Sequence, residues 1–194
     1  PSALLDLLAT IRTVAPVQPQ AEVTVEANPE TVDGPGLAQL RAGGVNRLSL
    51  GAQSGHDRFL EIIGRRHTVA DVERTVALAR QAGFTNINLD LIYGLPGETP
   101  ADWQQTLRWA ASLRPDHLSC YGLQVEAGTP LDTMVREGRV RLPSEDEVSA
   151  MFLAATRFLP AAGYEQYEIA NFARRPRAGE TGRCDYRCRH NLIY

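Results

Sequence analysis

Apolar residues recur along this chain at two alternating spacings, one helix-like and one strand-like. Residues 3–14 carry a helical stripe closed by Pro16 and Pro19, and residues 22–27 are a short β-branched run. A helix is predicted over 37–42, ended by Gly43-Gly44, then a strand over 46–52 and a short helix over 58–63. Residues 69–82 form a strongly amphipathic helical pattern that stops at Gly83. A strand over 86–92, a helix over 100–113 and a fourth strand over 116–123 complete the series. Strands that alternate with helices through short turns predict an α/β fold built on a parallel sheet.

After residue 123 the rhythm changes. Helices are predicted over 130–137 and 144–159, the second opened by Ser144 with Glu147 three residues on, a capping-box pattern. A strand over 163–169 follows, and then an arginine-rich tail. The change divides the chain into residues 1–125 and a smaller α+β extension, 126–194.

Composition narrows the class. The 194 residues are 43% hydrophobic and 22% charged, with a net charge of −3, as in an ordinary globular domain. No run approaches the roughly 20 apolar residues needed to cross a membrane. Three cysteines, Cys120, Cys184 and Cys188, are too few for a disulfide framework and suit a reducing, cytoplasmic setting. Every one of the 20 basic residues is arginine, yet the acidic balance argues against a nucleic-acid partner. The local exception is 174–189, where six arginines face only Glu180 and Asp185; with Pro176, Gly179 and Gly182 it reads as an exposed loop.

In barrels and open α/β sheets, ligands sit at the carboxyl ends of strands. There the sequence places Glu26, Ala27 and Asn28 after the first strand and Gln53 after the second. The third carries Asp90 within an apolar run and continues through Tyr93 into Gly94-Leu95-Pro96-Gly97-Glu98-Thr99. Carboxylate and amide groups suit ribose hydroxyls or an ammonium group, and no Gly-x-Gly-x-x-Gly or phosphate loop is present. Arg65 offers forked donors to a ligand carboxylate. Chemistry alone therefore asks for a ligand with hydroxyls and a positive group, without a polyphosphate.

The runs Val25-Glu26-Ala27-Asn28-Pro29-Glu30, Asn46-Arg47-Leu48-Ser49-Leu50-Gly51-Ala52-Gln53-Ser54 and Asn88-Leu89-Asp90-Leu91-Ile92-Tyr93-Gly94-Leu95-Pro96-Gly97-Glu98-Thr99 resemble the radical S-adenosylmethionine superfamily. The branch they resemble is that of oxygen-independent coproporphyrinogen III oxidase. The resemblance implies a partial, incomplete β/α barrel with a small α+β C-terminal extension. It also implies an S-adenosylmethionine site at Glu26, Gln53, Arg65 and Asp90, spaced by 27, 12 and 25 residues. Arg65 would hold the methionine carboxylate, Gln53 and Asp90 the ribose hydroxyls, and Glu26 the ribose or the amino end.

The tail, Tyr167-Glu168-Ile169-Ala170-Asn171-Phe172-Ala173 and then Cys188-Arg189-His190-Asn191-Leu192-Ile193-Tyr194, resembles the HemW-type haem chaperone subgroup and its His-Asn-x-x-Tyr-Trp motif. His190, Asn191 and Tyr194 match it, so haem and haem-accepting apoproteins become the expected partners. The alternative is a coproporphyrinogen III oxidase of porphyrin biosynthesis acting by radical SAM chemistry. The family's Cys-x3-Cys-x2-Cys motif for a 4Fe-4S cluster is not in the sequence; it is expected before Pro1, with the first two barrel strands. No metal ligands for that cluster, and no catalytic residue, are assigned within the chain. Cys184, Cys188 and His190 supply only two thiolates, at the far end of the fold; with a fourth ligand they would suit zinc.

Of the remaining residues, His56, His67 and His117 read as surface histidines, Trp103 and Trp109 as packing residues, and Cys120 as a buried small hydrophobe.

Overall fold

Helix α1 (Ser2–Val14) leads through Pro16 and Pro19 to β1 (Thr24–Ala27), the first strand of a computed structural model that describes residues 1–176 and 185–193. A single 3-10 turn (Pro29–Thr31) and α2 (Gly34–Ala42) precede β2 (Arg47–Gln53). Helices α3 (Asp57–Ile62) and α4 (Val69–Gln81) bring the chain to β3 (Ile87–Tyr93), and α5 (Pro100–Ser112) to β4 (His117–Gly122). Then come α6 (Pro130–Arg136), α7 (Glu145–Ala161), β5 (Tyr164–Gln166) and β6 (Asn171–Arg174). A second 3-10 turn spans His190–Leu192.

The strands form one sheet in the order β1-β2-β3-β4-β6-β5. The first four pair in parallel; β6 runs antiparallel to β4, and β5 antiparallel to β6. The single strand predicted over 163–169 is thus a hairpin whose second strand extends the parallel sheet. Its reversal is local chemistry. The Glu168 carboxylate accepts from Ala170 N at 3.0 Å and Asn171 Nδ2 at 2.5 Å, and Gln166 Nε2 donates to Ile169 O at 2.9 Å. That turn ends β5 at Gln166. Residue 174, expected in a loop, is the last of β6; Arg174 pairs with Asp116 at 3.4 Å and reaches Tyr186 at 2.6 Å.

Successive side chains of a strand point to opposite faces, and here the two faces differ in kind. Leu48, Leu50, Ala52, Ile87, Leu89, Leu91, Leu118, Cys120 and Phe172 face the helices, each no more than 4% exposed. They pack with Leu37 and Leu40 of α2, Val72 and Val76 of α4, Trp103 and Leu107 of α5, and Met151 and Leu159 of α7. Each buried leucine contributes about 1.5–3 kcal/mol. Trp103 Nε1 donates to Met151 O at 2.9 Å, so α5 and α7 share a polar contact inside the apolar layer.

Helix starts are fixed by side chains. The box at Ser144 and Glu147 is present, and Thr68 with Asp71 and Thr99 with Asp102 form two more, with aspartate in place of glutamate. At the far end of α4, Gly83 takes φ +88°, a conformation that costs a side-chain-bearing residue free energy. No helix among the described residues is long and apolar enough to cross a membrane.

Candidate functional site

The face of the sheet turned away from the helices is polar nearly throughout. Pairing places Glu26 beside Ser49, Ser49 beside Asn88, and Asn88 beside His117, one row across four strands. Asp90 and Ser119 pair in the layer beside it, toward the strands' carboxyl ends. The interior of an ordinary β/α barrel is filled by branched apolar side chains. A row of acid, hydroxyl, amide and imidazole is instead the wall of a cavity.

Two clefts open on this wall. The smaller, about 330 Å³, is lined by Glu26, Asn28, Gln53, Arg65 and Asp90, with the bare backbone of Gly51 between them. The four residues singled out for one ligand thus share one cavity. They do not all stand at strand ends, as the strand-end rule anticipates: Asp90 is the fourth of seven residues in β3, and period-two alternation turns it into the cleft. A register irregularity between Leu50 and Gln53 redirects the end of β2, and Gln53 adopts φ +65°. Such a conformation in a non-glycine residue costs of order 1 kcal/mol or more and gathers at ligand sites. A Cβ on Gly51 would lie 2.7 Å from Gln53 Nε2 and 3.1 Å from Asn28 Oδ1. Arg65, from the turn after α3, donates to Asn28 Oδ1 at 2.9 Å.

The larger cleft, about 580 Å³, continues along the same wall and shares Glu26, Ser49 and Asp90 with the smaller one. Its other side is made by residues 188–193, including His190 and Asn191. His190 is exposed there, at the rim, while Tyr194 and Cys184 lie outside the described residues. Residues 188–189 are tied down by Glu22, which accepts from Arg189 N at 3.3 Å and Cys188 Sγ at 3.5 Å. Asn191 Nδ2 and Cys188 N both donate to the Tyr167 hydroxyl, at 3.3 and 3.1 Å.

From that hydroxyl a chain of hydrogen bonds runs to the smaller cleft. Asp90 accepts from Ser49 Oγ at 2.8 Å through one oxygen and from Asn88 Nδ2 at 2.8 Å through the other; Asn88 Nδ2 also donates to Ser49 Oγ at 2.7 Å. Asp90 thus accepts at both oxygens, and the amide of Asn88 is oriented with its nitrogen toward Asp90 and Ser49. Asn88 Oδ1 must then accept from His117 Nδ1 at 2.6 Å, and Ser119 Oγ joins it at 3.2 Å. His117 Nε2 is left to accept from Tyr167 at 2.7 Å. Burial holds the imidazole neutral, with its pKa down to about 3, and the nearby Arg47 charge pushes the same way.

Two histidines expected at the surface are buried. His117 is 0% and His67 2% exposed. His67 Nε2 lies 3.3 Å from Ala52 O and its Nδ1 3.2 Å from Glu30. Each is held by groups distant in sequence, so neighbouring residues gave no sign of them. Ser49, Asn88, Ser119 and His117 were missed as site residues for a different reason. Their signal is the period-two polar spacing at 47/49, 88/90 and 117/119, which stands out only once one sheet face is known to be uncovered. Trp103 is packed in the core, Trp109 is half-buried against Glu73 at 2.9 Å, and Cys120 is buried.

The loop after β3 is folded around Glu98. That side chain accepts from Gly94 N at 2.8 Å and Leu95 N at 3.1 Å while its other oxygen has no partner. Burial raises its pKa to about 7 against the opposing pull of those two amides.

A family profile described as "Radical SAM superfamily" matches residues 1–110. The chain is 38% identical to the "Heme chaperone HemW" of Bacillus subtilis over 98% of its own length and 48% of that protein's. It is 42% identical to the mouse "Radical S-adenosyl methionine domain-containing protein 1, mitochondrial" over 79% of its length and 35% of that protein's. Among solved structures, the coproporphyrinogen III oxidase HemN of Escherichia coli superposes with a TM-score of 0.74 at 32% identity, covering 89% of this chain and 39% of that one. The chain thus spans about half or less of the length of these relatives.

Proposed function

The chain belongs to the radical SAM superfamily, on its HemN/HemW-like branch, and from that premise we propose that it is the ligand-holding part of a haem chaperone. Membership implies S-adenosylmethionine and a 4Fe-4S cluster. S-adenosylmethionine, which supplies radical chemistry when bound to such a cluster, suits the smaller cleft. Glu26 and Asp90 offer carboxylates to an ammonium and to hydroxyls, Gln53 an amide, and Arg65 a guanidinium to the carboxylate. Gly51 leaves room where any larger residue would crowd Gln53 and Asn28. The cluster finds no such match. Among the described residues no group of His, Cys, Asp and Glu is placed to hold a metal ion; Cys120 faces the helices and Cys188 the larger cleft.

Haem is the cargo in this reading, received in the larger cleft and passed on to acceptor apoproteins. The observation that carries it is contiguity: the cleft bearing His190 and Asn191 shares Glu26, Ser49 and Asp90 with the cleft suited to S-adenosylmethionine. Imidazole is a common axial ligand of haem iron, which gives His190 its role, with Asn191 and Tyr194 completing the motif. Sparse cysteines suit a reducing compartment, and we place this work in the cytoplasm.

Haem titration of the complete protein and of its His190→Ala variant tests the reading. Loss or shift of the Soret band in the variant supports it; an unchanged affinity and spectrum removes His190 from the site. Asp90→Ala and Gln53→Ala should each weaken S-adenosylmethionine binding by about 1–3 kcal/mol in calorimetry. The second reading, a coproporphyrinogen III oxidase, is favoured by the superposition on the Escherichia coli enzyme. It requires anaerobic conversion of coproporphyrinogen III by the reconstituted complete protein, and absence of protoporphyrinogen IX would dismiss it.

A further inference from the structure

Arg47, the first residue of β2, is 4% exposed and lines the larger cleft. Its Nε is buried without a hydrogen-bond partner, and among the described residues the side chain makes no hydrogen bond or ion pair. No carboxylate among them lies within 4 Å of it. Of the three carboxylates lining the cleft, Glu22 holds Cys188 and Arg189 and Asp90 holds Ser49 and Asn88, while Glu26 forms no ion pair with Arg47. The buried Asp116 shows the usual arrangement. Asp116, 3% exposed, meets Arg80 at 2.7 Å and Arg174 at 3.4 Å.

A largely buried guanidinium left without a counter-charge carries an uncompensated desolvation cost. A fold retains such a group when something outside the fold supplies the counter-charge. The open space beside it is large, about 580 Å³, and its rim mixes polar groups with the half-exposed Tyr121 ring and the Ile193 side chain. That mixture, polar along the sheet and apolar at Tyr121 and Ile193, suits a broad amphipathic molecule whose acidic substituent reaches Arg47. The forked donors of arginine match a carboxylate in particular.

We propose that Arg47 is the anchor for a carboxylate of the molecule held in the larger cleft, namely a propionate of a tetrapyrrole seated between the sheet face and residues 188–193. The inference rests on the haem-carrying reading and gives that site a second point of attachment, set apart from iron ligation. It leaves the smaller cleft to its own cation, Arg65, which is held by Asn28 on the far side of the wall formed by Glu26, Ser49 and Asp90.

The test uses the complete protein with haem, haem dimethyl ester and S-adenosylmethionine as separate probes. Arg47→Met is expected to weaken haem binding roughly 10- to 100-fold, the range for losing a charged hydrogen-bonded contact. It is expected to leave binding of the ester unchanged, because the ester has no carboxylate to hold. The unsubstituted protein should show the same preference for haem over the ester, a comparison that needs no variant. Arg47→Lys, which keeps the charge and loses the fork, should recover only part of the difference. Arg47→Met should also melt no lower than the parent, because it removes an unpaired buried charge. Equal affinity of parent and Arg47→Met for haem, or a loss confined to S-adenosylmethionine, overturns the proposal while leaving the haem-carrying function intact. Failure of the unsubstituted protein to bind either tetrapyrrole overturns both.

Discussion

The Tyr167 hydroxyl donates to His117 Nε2 across 2.7 Å, joining the hairpin end of the sheet to its polar wall. The same oxygen receives Cys188 N and Asn191 Nδ2, so one atom fastens the segment that carries His190. Tyr167→Phe leaves a buried imidazole acceptor and two donors without their partner. It is expected to lower stability by about 1–3 kcal/mol and to speed amide exchange across residues 188–191. Exchange at the parent rate would show that the hydroxyl does not fasten the segment.

His117 is expected to remain neutral well below its ordinary range, because burial brings its pKa down to about 3. Between about pH 6.5 and 3 the unfolded chain takes up this proton and the folded chain does not. Stability from this residue is therefore lost as pH falls through that window. Nitrogen-15 spectra of the imidazole should show the Nδ1–H tautomer with no titration above pH 5. A midpoint near 6.5 contradicts the arrangement.

Glu98 works in the opposite sense. Its folded-state pKa of about 7 lies above the usual 4.5, so the folded chain holds this proton more tightly than the unfolded chain. The contribution is full below about pH 4.5 and is lost as pH rises to 7, with a slope of up to about 1.4 kcal/mol per pH unit. Glu98→Gln should remove that slope and gain most over the parent above pH 7. The difference between the two melting curves across pH isolates the residue from His117, and a constant difference would refute the assignment.

Gly51→Ala should damage ligand binding far more than folding. The new methyl group would meet Gln53 Nε2 at 2.7 Å and Asn28 Oδ1 at 3.1 Å, the two amides that border the smaller cleft. Both are side chains that can turn aside, so the expected melting change is small, on the order of 1 kcal/mol or less. S-adenosylmethionine affinity should fall about tenfold or more, a loss of at least about 1.4 kcal/mol. Unaltered affinity by calorimetry would place the nucleotide elsewhere.

Much of this arrangement is legible in the residues. The first four strands and the helices between them follow from periodicity and from stop signals such as Gly83, because those preferences are local. The hairpin is not legible. Three- and four-residue strands become strands only by pairing with each other and with β4, and β5 would be solvent-exposed backbone without β6. Glu26, Gln53, Arg65 and Asp90 stand out by residue type and by resemblance. Asn88 and His117 do not, because the contacts that tie them into the wall come from partners 29 and 50 residues away. Arg47 is the hardest to read: its distinguishing property is the lack of a partner, which exists only in three dimensions.

Glu26, Ser49 and Asp90 belong to both clefts, so the wall between the two candidate ligands is only one layer of side chains thick. Two molecules leaning on the same partition cannot be energetically independent if either one shifts it. Linkage then requires that S-adenosylmethionine alter haem affinity by the same factor by which haem alters that of S-adenosylmethionine. Titrating each in the presence and absence of the other measures that factor twice, and a factor of one in both directions would mean the partition is rigid. Any other value turns loading and release of cargo into a property that the concentration of a common metabolite can tune.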